Sequence, residues 1–200
     1  MGIPIATSLS MNNKASVLTE TYYALINVSR FLCFALVTCT SSISAQIDFE
    51  IDLPEGFEKE ASTGDPYTPL VATFYVGDLA SGMIEVRYSD DWSFSTAPNE
   101  EWIKELKKNT TMLQGFLETM FDNPKIITEY ELQLLGSKTT GWCVIYSGTD
   151  AATGIKLTNM AVSFVQNETL INLVGSSLSS DFHSNQKQFL KIFDSFKLKD

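Results

Sequence analysis

The chain has 200 residues, of which 44% are apolar and 19% are charged, and its formal net charge is −10. This composition is typical of a folded protein and too apolar for a disordered one, and the length predicts a single domain. The negative charge argues against a nucleic-acid partner, because nucleic-acid binding depends on clustered lysine and arginine.

The chain opens with a predicted export leader, residues 1–45. Arg30 precedes an apolar run over residues 31–37, and small, weakly polar residues follow up to Ala45. This three-part order is that of a signal peptide cleaved after Ala45. The mature protein would then be one domain, residues 46–200, in the periplasm or secreted.

Two features of the leader leave alternatives open. Met11 is a second candidate for the true start, which would shorten the leader. Residues 36–39 resemble a lipobox, in which case Cys39 would be acylated and would anchor the same domain to a membrane. The apolar run is shorter than the roughly 20 residues that a spanning helix needs. We therefore expect no transmembrane segment after leader cleavage.

The first part of the mature chain predicts strands. Apolar residues alternate with acids over residues 47–53, which predicts a half-buried strand ending at the turn 54–56. The β-rich runs 70–76 and 83–88 flank the turn-forming segment 77–82, so these two runs are expected to pair as a hairpin.

A helix is predicted to follow, beginning at Pro98, because proline and acidic residues favour a first turn. Its apolar residues recur at helical spacing: Trp102, Leu106, Leu113, Phe116, Leu117 and Met120. We expect a break at Gly115, and we expect Asn123 and Pro124 to end the helix.

Four β-rich runs then predict an antiparallel meander. They are residues 126–135, 140–148, 155–166 and 169–175, with turns at 150–154 and 167–168. A last helix is expected to be capped by Ser179, Ser180 or Asp181. It carries an apolar stripe typical of core: Phe182, Phe189, Ile192, Phe193 and Phe196. This order of elements predicts an α+β fold, an antiparallel β-sheet flanked by helices.

The two ends of the mature chain resemble those of the PsbP-like superfamily. The opening is Phe49-Glu-Ile-Asp-Leu-Pro-Glu-Gly-Phe57 and the ending is Phe189-Leu-Lys-Ile-Phe-Asp-Ser-Phe196. The segments 141–146, 150–154 and 160–173 between them agree in order, so the resemblance covers nearly all of residues 47–198. It implies an α/β/α sandwich whose members of known role act in binding or assembly. It brings no shared active site, and a fold alone does not assign a function.

The residues offer little catalytic chemistry. His183 is the only histidine, which excludes a Cys/His metal cluster and any histidine triad that does not use it. Cys143 is expected in mid-strand as a small core residue, with no histidine placed to lower its pKa. Glycine-rich phosphate loops and dinucleotide motifs are absent from the sequence. We therefore expect no catalytic residue, no cofactor and no metal.

One loop, Asp90-Asp91-Trp92, is a candidate binding site. Adjacent acids beside an aromatic ring can hold a cation, a sugar or a ring of a partner. The alternative is a turn in which Trp92 packs back onto the core, and this interpretation is favoured because large aromatic side chains are mostly buried.

Together these observations favour an exported, non-enzymatic binding or assembly module that acts through a protein partner in the periplasm or cell envelope. A carrier of a small apolar ligand, held between sheet and helix, is the first alternative. A carboxylate-dependent hydrolase is the second, because two of the many acidic residues could form a catalytic pair.

Overall fold

The computed structural model describes residues 47–60, 65, 67–76, 79–89 and 98–199. The predicted leader, the alternative anchor Cys39 and the candidate loop Asp90-Asp91-Trp92 all lie outside these residues. The signal peptide, the anchor and the loop therefore stay predictions.

Nine strands and three helices make up the described part of the chain. In chain order they are β1 (Phe49–Glu50), β2 (Phe57–Lys59), β3 (Leu70–Val76), β4 (Leu79–Ser89), α1 (Asn99–Lys108), α2 (Thr110–Met120), β5 (Phe121–Leu134), β6 (Thr139–Asp150), β7 (Lys156–Gln166), β8 (Thr169–Leu178), α3 (Phe182–Ser195) and β9 (Lys197–Leu198).

Seven of the strands form one sheet in the order β2-β3-β4-β8-β7-β6-β5, and every neighbouring pair is antiparallel. The remaining two, β1 and β9, pair with each other. The β3–β4 hairpin and the β5–β8 meander confirm the sequence prediction. Helix α3 packs on one face of the sheet, and α1 and α2 pack on the other. The α+β class, with helices flanking an antiparallel sheet, is confirmed.

The face of the sheet under α3, called the α3 face, is apolar and tightly filled. Phe189, Ile192 and Phe193 of α3 are almost completely buried against the strands, together with Phe196 just after the helix. The predicted aromatic stripe is therefore core. Cys143 belongs to this core and has no exposed surface, as its mid-strand position predicted.

The opposite face, called the α1–α2 face, has a smaller apolar core. Leu117 and Met120 of α2 pack against Tyr146 and Phe121, whose rings meet edge to face with centroids 6.0 Å apart. Trp102 of α1 forms a separate cluster with buried aliphatic residues of β7 and β8. This face also buries several polar side chains, which are described below.

The prediction that the first long helix breaks at Gly115 is wrong. The break lies at Asn109, between α1 and α2, and Gly115 lies inside α2. The Asn109 side chain donates a hydrogen bond to the carbonyl of Glu105, at 2.9 Å. Asparagine competes in this way with helical backbone hydrogen bonds. Gly115 is exposed and keeps the helical conformation inside α2.

The prediction that Asn123 and Pro124 end this helix is also wrong. The helix ends at Met120, and both residues belong to β5. The register with β6 shifts between Asp122 and Lys125, and Asn123 has a positive φ of 52°. Proline is tolerated in a strand at a bulge or on a sheet edge, and β5 offers both.

Two strand boundaries differ from the prediction. The opening strand covers only Phe49–Glu50, because its partner β9 is equally short. The apolar residues Phe49, Ile51 and Leu53 nevertheless pack against the α3-face core, as their alternation indicated. Strand β4 begins at Leu79, so residues 79–82 of the predicted turn segment 77–82 belong to the strand.

The start of α3 agrees with the prediction only in position. The helix follows Asp181, one of the three predicted caps, but the Asp181 side chain makes no capping hydrogen bond. It accepts hydrogen bonds from Ser81 and Ser180 instead. His183 lies in the first turn and is exposed.

Candidate functional site

The two sequence segments that carry the family resemblance meet in space. Strands β1 and β9 pair, and the rings of Phe49 and Phe196 stack with centroids 5.5 Å apart. The Asp52 backbone N–H donates to the Ser195 hydroxyl at 2.9 Å. These contacts join the two ends of the domain, so the motif residues have a structural role.

The candidate binding site is a cleft between α1 and the β5–β6 hairpin, on the α1–α2 face. Its volume is about 650 Å³. The lining residues are Pro98, Asn99, Glu100, Ile103, Lys104, Lys107, Glu131, Lys138, Thr139 and Thr140. A volume of this order accommodates a small ligand or a few residues of a peptide.

Asn99, the first residue of α1, fixes one wall of the cleft. Its side-chain amide donates to the Thr140 carbonyl at 2.7 Å and to the Thr139 hydroxyl at 3.3 Å. Its carbonyl oxygen accepts from the Val165 backbone N–H at 2.8 Å. One side chain therefore connects α1 to β6 and β7, so the helix start and the hairpin form a preorganised wall.

The charges in the cleft differ from those of the chain as a whole. Lys107 forms an ion pair with Glu131, and its ammonium lies 5.2 Å from the centre of the Trp142 ring. Lys104 and Lys138 are exposed and form no ion pair with any residue that the structure describes. In a chain of net charge −10, this cleft therefore presents two ammonium groups that are available to an acidic or carbonyl-bearing ligand.

An exposed apolar residue lies in the same hairpin. Leu135, in the turn between β5 and β6, is 70% exposed, and Ile127 in β5 is 52% exposed. Among large hydrophobic side chains of the described residues, these two are the exposed ones. Single exposed apolar residues are common, but Leu135 shares its turn with Lys138, a residue of the cleft.

A row of buried polar groups crosses the sheet on the α1–α2 face. Tyr146, Asn159 and Ser176 are in register on the neighbouring strands β6, β7 and β8, and each is at most 1% exposed. The Tyr146 hydroxyl, the Asn159 amide and the Ser176 hydroxyl have no hydrogen-bond partner among the described residues. Each such group lowers stability by about 1–3 kcal/mol.

A buried ion pair lies on the same face. The Arg87 guanidinium contacts the Glu85 carboxylate at 2.6 Å, and both residues are 1% exposed. Burial raises the pKa of the Tyr146 hydroxyl well above its usual range, the Arg87 charge opposes this shift, and the Glu85 charge adds to it. Tyr146 therefore stays protonated and neutral.

Cys143 is not poised for nucleophilic chemistry. Burial raises the pKa of its thiol to about 11, against a smaller lowering by a hydrogen bond with Tyr130. The thiolate is the nucleophilic form, and it is scarce at neutral pH. Within the described residues no three His, Cys, Asp or Glu side chains come together as a metal site, and no helix there is long and apolar enough to cross a membrane.

The sequence did not point to this cleft. Asn99, Lys104 and Lys138 come from segments far apart in the chain, and no short spacing links them. The only local signal was Pro98 with the acids after it, which marked the start of α1. Acids beside an aromatic ring had directed attention to Asp90, Asp91 and Trp92 instead, and these lie outside the described residues.

The fold has counterparts among solved structures. Cyanobacterial PsbP (CyanoP) from Synechocystis superposes with a TM-score of 0.50 at 13% identity, over 82% of this chain and 99% of that one. The chain has the PsbP-like fold. LpqN of Mycobacterium tuberculosis, described as involved in cell envelope biogenesis, gives a TM-score of 0.49 at 12% identity over 76% of this chain and 83% of that one. Neither known family models nor curated protein sequences match.

Proposed function

We propose that this protein is an exported, non-enzymatic binding or assembly module, and that a segment of a protein partner in the periplasm or cell envelope binds in the cleft between α1 and the β5–β6 hairpin. The observation that supports this most directly is the cleft itself. It is open, one wall is fixed by Asn99, and Lys104 and Lys138 present ammonium groups without ion-pair partners among the described residues.

The acidic residues of the cleft suit binding better than turnover. Glu100 and Glu131 are both exposed, and Glu131 is held by Lys107. A glycosidase places its general acid in an apolar pocket and needs a second carboxyl group free to act as nucleophile or base. Neither cleft carboxylate lies in an apolar pocket, and Glu131 is ion-paired, so a carboxylate-dependent hydrolase is the weaker hypothesis.

An apolar ligand between sheet and α3 is also the weaker hypothesis. The Phe189 ring fills the space above Gly175 so closely that a Cβ atom there would lie 2.6 Å from it. The cleft on the opposite side is lined mainly by polar and charged side chains. Both features favour a peptide segment with carbonyl or carboxylate groups over an aliphatic chain.

The experiment is in-cell cross-linking of the tagged full-length protein, followed by mass spectrometry of the captured species and of the mature N-terminus. We expect one stoichiometric envelope partner, which is lost in the double variant Lys104→Glu and Lys138→Glu. The matched control is Lys187→Glu with Lys191→Glu, two exposed lysines of α3, which should keep the partner.

Two outcomes would overturn the proposal. If the unaltered protein captures no partner, the proposal of a protein-binding module is wrong. A rise in melting temperature on adding envelope lipids would then favour the ligand carrier. Equal capture by the cleft variant and by the α3 control would show that the partner binds elsewhere. An N-terminus at Gln46 would support a soluble module, whereas an acylated Cys39 would make the same module a lipoprotein.

A further inference from the structure

The described sheet ends in two edge strands of very different length. At one edge β2 has 3 residues, and at the other β5 has 14. No described strand pairs with the outer side of β5. An edge strand presents unpaired backbone N–H and C=O groups, which can template pairing with another chain. The short β2 is protected by its length, and β5 is not.

The two halves of β5 differ in how the edge is protected. The first half contains Pro124, Lys125 and two register shifts, one between Asp122 and Lys125 and one between Ile126 and Thr128. Proline, lysine and bulges are the devices that natural proteins use to prevent pairing at an edge. Residues 128–134 contain no proline, lysine or register shift, and they pair with β6 in unbroken register. Apart from the charges of Glu129 and Glu131, this second half is therefore an unprotected edge.

The backbone of this half is suited to accept a strand. In an antiparallel pair, alternate residues direct their N–H and C=O groups toward the partner strand and the others direct them away. About half of residues 128–134 therefore present these groups outward. Addition of a strand to such an edge is a recurrent mode of peptide recognition, in which backbone hydrogen bonds supply affinity and alternate side chains supply specificity.

The side chains of the edge define the chemistry of the added strand. On the α3 face, Tyr130 and Leu132 are partly buried against the core. On the α1–α2 face, Glu129 and Glu131 alternate with them, and Glu131 lies at the border of the cleft. Glu129 accepts a hydrogen bond from the Thr110 hydroxyl, and Glu131 forms an ion pair with Lys107 in which both side chains are exposed. An exposed ion pair is weak, so both carboxylates stay charged and can bind a cation of an added strand. A strand added here would meet apolar side chains on one face and acids on the other.

We propose that residues 128–134 of β5 receive an extended segment of the partner protein as an additional antiparallel or parallel strand, in which apolar residues alternate with lysine or arginine. This inference rests on the proposed function and adds a second stretch of the same partner: the cleft lysines bind its carbonyl or carboxylate groups, and the adjoining β5 edge binds its basic alternating strand. The cleft and the edge are continuous through Glu131, which borders both.

A second copy of the chain is the less suitable occupant. Two β5 strands related by a twofold axis at Tyr130 would place Glu129 opposite Glu131, and an axis at Glu131 would place this residue opposite itself. Like charges directly across a strand pair are destabilising. A basic alternating segment instead places a cation opposite each acid.

The test uses capped peptides added to the purified protein, with amide hydrogen exchange read residue by residue. The probe is Lys-Val-Lys-Val-Lys-Val-Lys. Its controls are the acidic counterpart Glu-Val-Glu-Val-Glu-Val-Glu and the block peptide Lys-Lys-Lys-Lys-Val-Val-Val, which has the same composition without the alternation. We expect the first peptide to slow exchange within residues 128–134 by about tenfold or more, and the two controls to leave it unchanged.

Charge variants test the assignment of the acids. Glu129→Lys with Glu131→Lys should abolish the protection, and the isosteric Glu129→Gln with Glu131→Gln should weaken it. Glu118→Lys with Asp122→Lys makes the same charge change at exposed positions next to the protected half of β5, and it should have no effect. Unchanged melting temperatures would show that all the variants are folded.

The possible results separate this inference from the proposed function. Absence of protection in β5 with the alternating basic peptide would overturn the edge assignment, as would equal protection by the acidic peptide. Concentration-dependent dimerisation that protects β5 without peptide would replace the partner with a second copy. If cells yield a partner that depends on Lys104 and Lys138 but not on Glu129 and Glu131, the cleft proposal stands and the edge proposal fails.

Discussion

Replacing Gly175 by alanine tests the packing that defines the α3 face. An added Cβ at Gly175 would lie 2.6 Å from Cγ and 2.7 Å from Cδ2 of the Phe189 ring. Carbon atoms attract best at about 3.5–4.0 Å, so the overlap is about 1 Å. Phe189 is 1% exposed, and its ring has no solvent into which it could rotate. We therefore expect Gly175→Ala to reduce the free energy of unfolding by about 1–3 kcal/mol.

Two other glycines provide graded controls. A Cβ at Gly82, on the neighbouring strand, would lie 3.3 Å from Asn185 Nδ2 and 3.4 Å from the same ring, so Gly82→Ala should have a much smaller effect. A Cβ at Gly115, exposed inside α2, would meet nothing within 4 Å. Alanine is the better helix former, so Gly115→Ala should raise the free energy of unfolding by about 0.5–1 kcal/mol.

The assay is urea unfolding followed by circular dichroism. With a denaturant slope of about 2 kcal/mol/M, the Gly175→Ala midpoint should fall by about 0.5–1.5 M, while the Gly115→Ala midpoint should rise. Phe189→Leu should reduce the free energy of unfolding less in the Gly175→Ala variant than in the unaltered protein. The reason is that the smaller leucine side chain relieves the overlap with the alanine Cβ. A Gly175→Ala midpoint equal to that of the unaltered protein would refute the packing described for this face.

Three further predictions concern buried polar groups. Arg87→Met leaves the Glu85 carboxylate buried without this cation and should lower the free energy of unfolding by about 3–5 kcal/mol in urea titrations, and Glu85→Gln in the same chain should recover most of the loss. Tyr146→Phe removes a hydroxyl that has no described partner and should leave stability equal or raise it by about 1 kcal/mol; a clear loss would reveal a partner. The folded-state pKa of Cys143 is about 11, raised from 9.0, so its stabilising contribution is complete below pH 9 and falls by about 2–3 kcal/mol as the pH rises to 11. The free energy of unfolding, measured from pH 9 to pH 11, should therefore fall less steeply in Cys143→Ala than in the unaltered protein.

The sequence predicted the β5–β8 meander well, because strand composition and turn residues are local signals in the chain. Strand β7, predicted as residues 155–166, is Lys156–Gln166 in the structure. The turn that follows has positive φ at Asn167 and Glu168, the kind of position for which asparagine is suited. The α3 stripe was equally predictable, since a helix that covers a sheet needs one wide apolar face.

The errors in the fold arose where distant contacts outweigh local preference. Asn123 and Pro124 looked like a helix stop followed by a loop, but pairing with β6 extends β5 through them as a bulge. The helix break depends on the Asn109 side chain, which no periodicity reveals. The charged cleft is still further from local signals, since Asn99 contacts residues 40, 41 and 66 positions away.

The two faces of the sheet differ in a way that bears on function. On the α3 face, apolar side chains meet with little space. The α1–α2 face carries the buried pair Glu85 and Arg87, together with polar atoms of Tyr146, Asn159 and Ser176 that have no hydrogen-bond partner among the described residues. Such groups lower stability, and proteins retain departures of this kind mainly at functional positions. The cleft lies on this same face, and the acids of β5 project from it, so the polar interior, the cleft and the unprotected edge together favour this side of the molecule as the binding surface.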